Sequence, residues 1–169
     1  VTAENVAAKW GITRQMQDEL AVESHKRAAR ATAEGRFKSQ ILPVTLKSKK
    51  GDTVFDKDEH FRAEATLDDM AKLKPVFQKE NGTVTAGNAS GINDGAGAVV
   101  LMAREVADKR GAKPQARLIA YGHAGVDPKF MGIGPVPASQ NALTRAGLKI
   151  ADMDVIESNE AFSAPPCAV

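Results

Sequence analysis

Apolar residues recur at helical spacing over residues 1–35 and predict two helices. The first has Thr2 as its expected N-cap, ends at Gly11, and places four apolar residues on one face: Ala3, Val6, Ala7 and Trp10. The second begins after Thr13 and ends at Gly35. Its predicted buried stripe follows Met16, Leu20, Ser24 and Ala31.

Regular spacing fades between residues 37 and 77. Residues 41–46 predict an edge strand because Pro43 removes a backbone donor, and residues 47–52 predict a basic turn. Residues 65–71 predict a short capped helix, which a linker then joins to the next stretch. This region therefore predicts a lobe outside the main core, whose basic turn is either solvated or placed to meet phosphates.

Residues 83–102 combine a polar, glycine-rich loop with an apolar run at 99–102. An apolar run bounded by turn residues is typical of a strand that is buried on both faces. The pattern predicts a loop delivered onto a core strand, which is where α/β folds place ligands, although glycines there also serve plain packing.

The rest of the chain alternates between predicted helices and strands. Helices are expected at 104–110 and 138–146, and strands at 116–121 and 153–157. The alternation predicts an α/β fold with a layered sheet. The loop at 126–135 is too long for a plain turn and is a candidate functional loop, but its glycines do not form a dinucleotide fingerprint.

Composition narrows the class of protein. Of the 169 residues, 43% are hydrophobic and 26% are charged, which is typical of a globular domain. A net charge of +2, with one Trp and one Tyr, does not favour nucleic-acid binding, and no apolar run has membrane length. The lone Cys167 excludes an internal disulfide and a cysteine metal site, which favours the cytoplasm. Because the sequence starts at Val1 without Met and closes on apolar residues, we expect an internal piece of a longer protein.

Asn159 is the sharpest candidate for chemistry. It follows the last predicted strand, where its amide either caps the next helix or holds a water or a donor against a developing oxyanion. His25, on a charged helix, is expected to be solvated, and His60 and His123 are expected to be structural or solvated. No metal site is predicted.

Three motifs together resemble the thiolase family. They are TAGNASGINDGA at 85–96, VDPKFMGIGPVPAS at 126–139 and SNEAFS at 158–163, in matching order and spacing. The likeness runs through nearly the whole chain and is greatest to the biosynthetic branch of acetyl-CoA acetyltransferases and bacterial β-ketothiolases.

The resemblance implies a thiolase-like, layered α-β-α sheet portion with a mostly helical loop domain, both incomplete. Residues 1–90 would belong to the loop domain that binds coenzyme A (CoA). Residues 91–115 would supply the last strand and helix of the N-terminal core domain, and residues 116–169 the start of the C-terminal core domain. The family assembles as homodimers or homotetramers.

The implied reaction moves an acyl group between 3-ketoacyl-CoA and CoA without a permanently bound cofactor. One cysteine takes the acyl group, a second moves the proton at the α carbon, and each step develops an oxyanion. Asn159 resembles the residue that holds the oxyanion-hole water. The residues that resemble the CoA site are Arg62 near the adenosine phosphate, Phe77 in the wall, and Ala86, Ser90 and Gly91 along the pantetheine tunnel, with Met131 at the acyl end.

The family's catalytic cysteines and histidine are not among these residues, so this chain alone is expected to be inactive. Cys167 is not a substitute, because no base accompanies it and an apolar setting makes a poor thiolate. The alternative is a non-catalytic CoA- or acyl-CoA-binding module. Pro165 and Pro166 also depart from a helix expected to begin near Glu160, so either that helix starts later or the chain end is altered.

Overall fold

The computed structural model describes residues 1–169, which divide into two compact units. The first unit contains residues 1–91 and 159–168, and the second contains residues 92–158 with Val169. No helix is long and apolar enough to cross a membrane.

Helix α1 of the first unit spans Thr2–Trp10 and ends at Gly11, whose φ of 67° is left-handed, as predicted. The predicted cap is wrong: Val1 occupies the N-cap position, so Thr2 lies inside the first turn. Trp10 is exposed, whereas the other three residues of the predicted apolar face are buried: Ala3, Val6 and Ala7.

Helix α2 spans Arg14–Ala33 and begins at Thr13, whose Oγ1 accepts a hydrogen bond from the Met16 amide at 3.1 Å, as predicted. The predicted buried stripe is wrong, because the residues that α2 buries are Gln17, Asp18, Ala21 and Val22. Two of these side chains are polar: Asp18 bonds Asn88, and Gln17 donates from Nε2 to the Thr13 carbonyl while its buried Oε1 has no hydrogen-bond partner. Apolar periodicity alone therefore did not identify the buried face.

The lobe forms a short hairpin and a short helix. Strand β1 (Val44–Leu46) pairs antiparallel with β2 (Thr53–Phe55), which confirms the predicted edge strand over its last three residues and places the basic turn between them. Helix α3 spans Leu67–Ala71, and the Thr66 hydroxyl accepts from the Asp69 amide at 3.2 Å. The predicted capped helix is therefore confirmed.

Helix α6 (Ala164–Ala168) explains the two prolines near the end of the chain. Because the helix begins at Ala164, Pro165 and Pro166 lie in its first turn, where a backbone N–H has no partner within the helix. Of the two alternatives, the later helix start is the one observed.

The core of the first unit joins α1, α6 and the loop after residue 82. One cluster contains Ala3, Ala7, Ile12, Val84 and Ala164, and a smaller cluster beneath α3 contains Ala21, Val22 and Met70. The glycine-rich loop is thus attached to the N-terminal helix through Val84, which is fully buried.

The second unit contains two helices and two 3₁₀ segments. Helix α4 spans Arg104–Lys109 and α5 spans Pro135–Ala146, so both predicted helices are confirmed, with α5 three residues longer at its start. The 3₁₀ segments are Pro128–Ile133, inside the predicted functional loop, and Ile150–Asp152.

The strands predicted at 99–102, 116–121 and 153–157 are not formed. Their apolar side chains are exposed, as Val100 at 85% and Val155 at 81% illustrate. A central strand is buried only when neighbouring strands and covering helices flank it, and the one sheet of this chain is the β1–β2 hairpin. The three segments have the apolar composition of core strands, but no neighbouring strand pairs with them.

Gly122 fixes the segment before the long loop against α5. A Cβ at Gly122 would collide with the Ala138 carbonyl and lie 2.7 Å from the Ala142 amide nitrogen. Asn141 Nδ2 also donates to the His123 carbonyl at 3.1 Å. The backbone therefore approaches the helix more closely than any side chain permits.

We predict that Gly122→Ala lowers the free energy of unfolding by about 1–3 kcal/mol, because the added methyl group overpacks this contact. Gly125→Ala is the matched control, since a Cβ there meets nothing within 4 Å. Urea denaturation followed by circular dichroism measures both variants. Equal stability of the two variants would contradict the close approach.

Candidate functional site

The carboxylate of Glu4 anchors the start of the glycine-rich loop. It is 3% exposed and accepts hydrogen bonds from the Thr83 amide at 2.9 Å, the Thr83 hydroxyl at 2.7 Å and the Val84 amide at 2.9 Å. Charge-assisted hydrogen bonds of this kind are stronger than neutral ones and offset the cost of burying the charge. These hydrogen bonds therefore fix the start of the loop against α1.

The Asn88 side chain fixes the middle of the same loop. Its Oδ1 accepts from the Thr85 amide at 2.8 Å, and its Nδ2 donates to Asp18 Oδ1 and to the Thr83 carbonyl, both at 2.9 Å. Asp18 also accepts from Arg14 Nε at 2.7 Å, and the Arg14 guanidinium reaches the Met70 carbonyl. The loop, α2 and α3 are thus joined by one buried polar network.

Two of the predicted motif segments pair with each other. The Ser90 amide donates to the Ala161 carbonyl at 2.9 Å, and the Ser163 amide donates to the Asn88 carbonyl at 2.9 Å. Ala89 and Phe162 form an antiparallel bridge between these two bonds. The loop that carries Ser90 therefore lies directly beside the segment that carries Asn159.

Phe77 contacts this pair of segments. Its ring packs edge-to-face on Phe162, with centroids 6.3 Å apart and an interplanar angle of 64°. Ala86 and Ser90 are exposed and Gly91 is half-buried. The structure thus brings together four of the predicted CoA-site residues, together with Asn159, in the first unit.

Asn159 does not cap the following helix, because α6 begins five residues later at Ala164. Asn159 is exposed. The neighbouring Glu160 is bonded to α2, because Ser24 Oγ donates to Glu160 Oε2 at 2.6 Å. The capping alternative is therefore wrong.

Arg62 and Met131 lie outside this pair of segments. Arg62 is on the lobe, with an exposed side chain, and its backbone amide donates to His25 Nδ1 at 3.1 Å. The expectation that His25 is simply solvated is wrong for this reason. Burial first, and then the fields of His60 and Arg62, lower the pKa of His25. Met131 lies in the second unit, in the first 3₁₀ segment, and is 63% exposed.

Cys167 has the environment of a structural thiol. Burial raises its pKa, and its Sγ lies 4.0 Å from the Met16 carbonyl oxygen. A raised pKa disfavours the thiolate, which is the direction that the sequence predicted. No group of three or more His, Cys, Asp or Glu side chains converges closely enough to hold a metal ion.

A separate cleft of about 530 Å³ lies between α2 and the lobe. Four carboxylates and one ammonium group line it: Glu19, Glu23, Glu64, Asp68 and Lys26. Its negative charge is unsuited to a nucleotide phosphate, and neither Ser90 nor Asn159 is among its lining residues.

Sequence reasoning missed the residues that support the site, namely Glu4, Asp18 and Asn88. Two signals were present. Glu4 stands beside Ala3 and Val6 on the apolar face of α1, where an acid is out of place unless it is paired. Asn88 in a glycine-rich turn also indicates a side-chain turn. The contacts that join Glu4 to Val84 and Asp18 to Asn88 span 80 and 70 positions and had no local signal.

The fold and the paired motifs define a class of protein. The family model described as "Thiolase, N-terminal domain" matches residues 1–105, and the model described as "Thiolase, C-terminal domain" matches residues 112–169. The chain therefore belongs to the thiolase family, as its motifs indicated.

Curated relatives share much of the sequence. The beta-ketothiolase BktB of Cupriavidus necator is 66% identical over 169 residues, which are 100% of this chain and 43% of that protein. The acetyl-CoA acetyltransferase of Shinella zoogloeoides is 55% identical over 168 residues, 99% of this chain and 43% of that protein. The chain thus spans less than half the length of these relatives.

Solved structures confirm the fold class. The acetyl-CoA acetyltransferase of Bacillus anthracis matches with a TM-score of 0.92 at 49% identity, over 99% of this chain and 42% of that one. The human mitochondrial 3-ketoacyl-CoA thiolase matches with a TM-score of 0.91 at 47% identity, over the same shares of the two chains. The chain therefore has part of the thiolase fold.

We predict that Glu4→Ala lowers the free energy of unfolding by about 2–4 kcal/mol, because the buried amide of Val84 and the half-buried amide of Thr83 lose their acceptor. Glu19→Ala, on the exposed side of α2, is the matched control and should change stability little. Urea denaturation compares them. A Glu4→Ala variant as stable as the control would contradict the anchoring role.

Proposed function

We propose that these residues form the CoA-binding and oxyanion-stabilising portion of a thiolase that transfers an acyl group between 3-ketoacyl-CoA and CoA. The observation that carries the proposal is the pairing of the Ser90 and Asn159 segments through the Ser90–Ala161 hydrogen bond and the Ala89–Phe162 bridge. The identity of 66% to a beta-ketothiolase supports the same reaction class.

In this proposal the exposed Ser90 hydroxyl and the adjoining Ala86 and Gly91 backbone line the pantetheine arm of CoA. Small residues suit a narrow tunnel because a chain of methylene and amide groups must pass close to the backbone. Phe77, held against Phe162, supplies an apolar wall, and Arg62 supplies a cation for the phosphates of the adenosine end. The role of Met131 at the acyl end stays a prediction from the resemblance.

Asn159 would stabilise the oxyanion that develops on the thioester oxygen. Its amide N–H groups donate to a water or directly to the oxygen, and a preorganised donor lowers the barrier because it need not reorient as the charge forms. The Ser24–Glu160 hydrogen bond keeps the neighbouring residue in place. Neither a nucleophile nor a base is part of this arrangement.

The nucleophilic and proton-transferring groups would come from parts of the thiolase beyond these residues. Cys167 is the single cysteine here, and its raised pKa disfavours the thiolate. The exposed apolar segments at 99–102, 116–121 and 153–157 would pair with that remainder to complete the core sheet. The division into a loop domain at 1–90 and core portions at 91–115 and 116–169 stays a prediction.

Assembly as a homodimer or homotetramer and a cytoplasmic location are further parts of the proposal. CoA and acyl-CoA are the expected partners, as substrates and not as bound cofactors.

The test uses the longer protein that carries these residues. We expect Asn159→Ala to lower kcat for acetoacetyl-CoA thiolysis roughly 100-fold or more, because one oxyanion donor is lost. The affinity for CoA should stay within about twofold, since Asn159 acts on the charge that develops and not on the bound arm. Ser158→Ala is the adjacent control. Steady-state kinetics and calorimetric titration with CoA measure the two effects.

Three outcomes separate the alternatives. A wild-type protein that neither binds CoA nor turns over refutes the proposal. A wild-type protein that binds CoA without turnover supports the non-catalytic CoA-binding module instead. An Asn159→Ala variant with normal kcat removes this residue from the chemistry.

A further inference from the structure

His25 connects α2 to the lobe segment that carries Arg62. Its Nδ1 accepts the Arg62 backbone amide at 3.1 Å across 37 positions of sequence. The segment between β2 and α3, residues 56–66, has no regular secondary structure of its own. The position of the Arg62 backbone therefore depends on contacts with neighbouring elements, and this hydrogen bond is one of them.

The contact requires a neutral imidazole. A neutral ring has one nitrogen that accepts and one that donates, whereas both nitrogens of the imidazolium donate. Protonation of His25 therefore removes the acceptor and places a positive charge against the Arg62 amide, which already carries a partial positive charge.

The positive groups that face His25 from the lobe also disfavour its protonation. His60 and Arg62 face it from the lobe, and both disfavour the imidazolium together with burial, which lowers the pKa of His25. On α2 it is flanked by Ser24 and Lys26, with Glu23 one residue further; Glu23 is paired with Arg27 at 2.7 Å and Ser24 donates to Glu160. The neutral ring is thus the form that the structure favours near neutral pH.

The consequence for stability has a definite sign. Because the folded pKa lies below the ordinary value of 6.5, the unfolded chain binds more protons between the two values. The contribution of His25 is complete above about pH 6.5 and is lost as the pH falls through the folded pKa.

We propose that His25 is a positioning residue for the nucleotide end of the CoA site, whose neutral ring holds the Arg62 segment in place and whose protonation weakens CoA binding. The proposal rests on the proposed function, since it takes Arg62 as the contact to the CoA phosphates. An imidazolium would also attract phosphate from a distance. Salt screens that attraction beyond about 8–10 Å, whereas loss of the backbone contact acts directly on the segment that carries the guanidinium.

Calorimetric titration of CoA onto the longer protein tests the proposal at about pH 8 and about pH 5.5. We expect wild type to bind about 3–10-fold more weakly at the lower pH, the range set by one backbone hydrogen bond. His25→Gln should remove most of that difference, because its amide oxygen accepts at both pH values. His60→Gln is the matched control and should keep at least this difference, since the His60 ring does not accept the Arg62 amide and its removal only makes His25 easier to protonate. Any change in the ionisation of CoA between the two pH values affects all three proteins equally and cancels in the comparison.

The outcomes are distinguishable from failure of the proposed function. No CoA binding by wild type at the higher pH refutes the proposed function. Binding with the same pH dependence in wild type and His25→Gln, or tighter wild-type binding in acid, overturns the role of His25.

A second measurement needs no ligand. In a nuclear magnetic resonance titration of the free protein, the Arg62 amide shift should follow the same midpoint as the His25 ring, and this step should vanish in His25→Gln. An Arg62 amide that does not respond to His25 ionisation would overturn the inference even if CoA binding varies with pH.

Discussion

The buried polar network of Glu4, Asp18 and Asn88 is the constraint on which the first unit depends. Glu4 holds the entrance of the glycine-rich loop on α1, and Asn88 holds its middle on α2 through Asp18. Each buried carboxylate is costly unless its hydrogen bonds are complete, so the loop is held in one arrangement and alternatives are penalised. The direction of the loop, and hence the place of Ser90, follows from these bonds.

The same network explains why two distant motifs meet. Once the loop is fixed, Ala89 and Ser90 present their backbone groups to residues 161–163, and α6 then packs on α1 through Ala164. Helix α2 contributes twice more, because Ser24 bonds Glu160 and His25 bonds the Arg62 segment. One helix therefore supports three parts of the proposed CoA and acyl site. Rigid support of this kind is what an oxyanion site requires, since its donors must be in place before charge develops.

Local sequence signals predicted the local structure well. Gly11, Gly35, Gly111 and Gly147 all follow helices with left-handed φ values, and Thr13 and Thr66 cap α2 and α3. The buried face of α2 was not predictable, because Asp18 is buried through Asn88, 70 positions along the chain, and Gln17 is a polar residue that no apolar pattern marks as buried. The three apolar segments at 99–102, 116–121 and 153–157 were predicted as strands, and the structure does not form them. Their composition is that of core strands, but a strand needs hydrogen-bonded neighbours that composition cannot provide. The motif resemblance identified the family and proposed the site residues, but it gave no role to Glu4, Asp18 or His25.

Hydrogen–deuterium exchange of the longer protein, with and without saturating CoA, tests most directly whether the paired segments form one ligand site. We predict that peptides covering 85–91 and 159–163 gain protection together on adding CoA, while the hairpin peptide covering 44–55 changes little. Protection confined to the acidic cleft or to the hairpin, with both paired segments unchanged, would contradict the account.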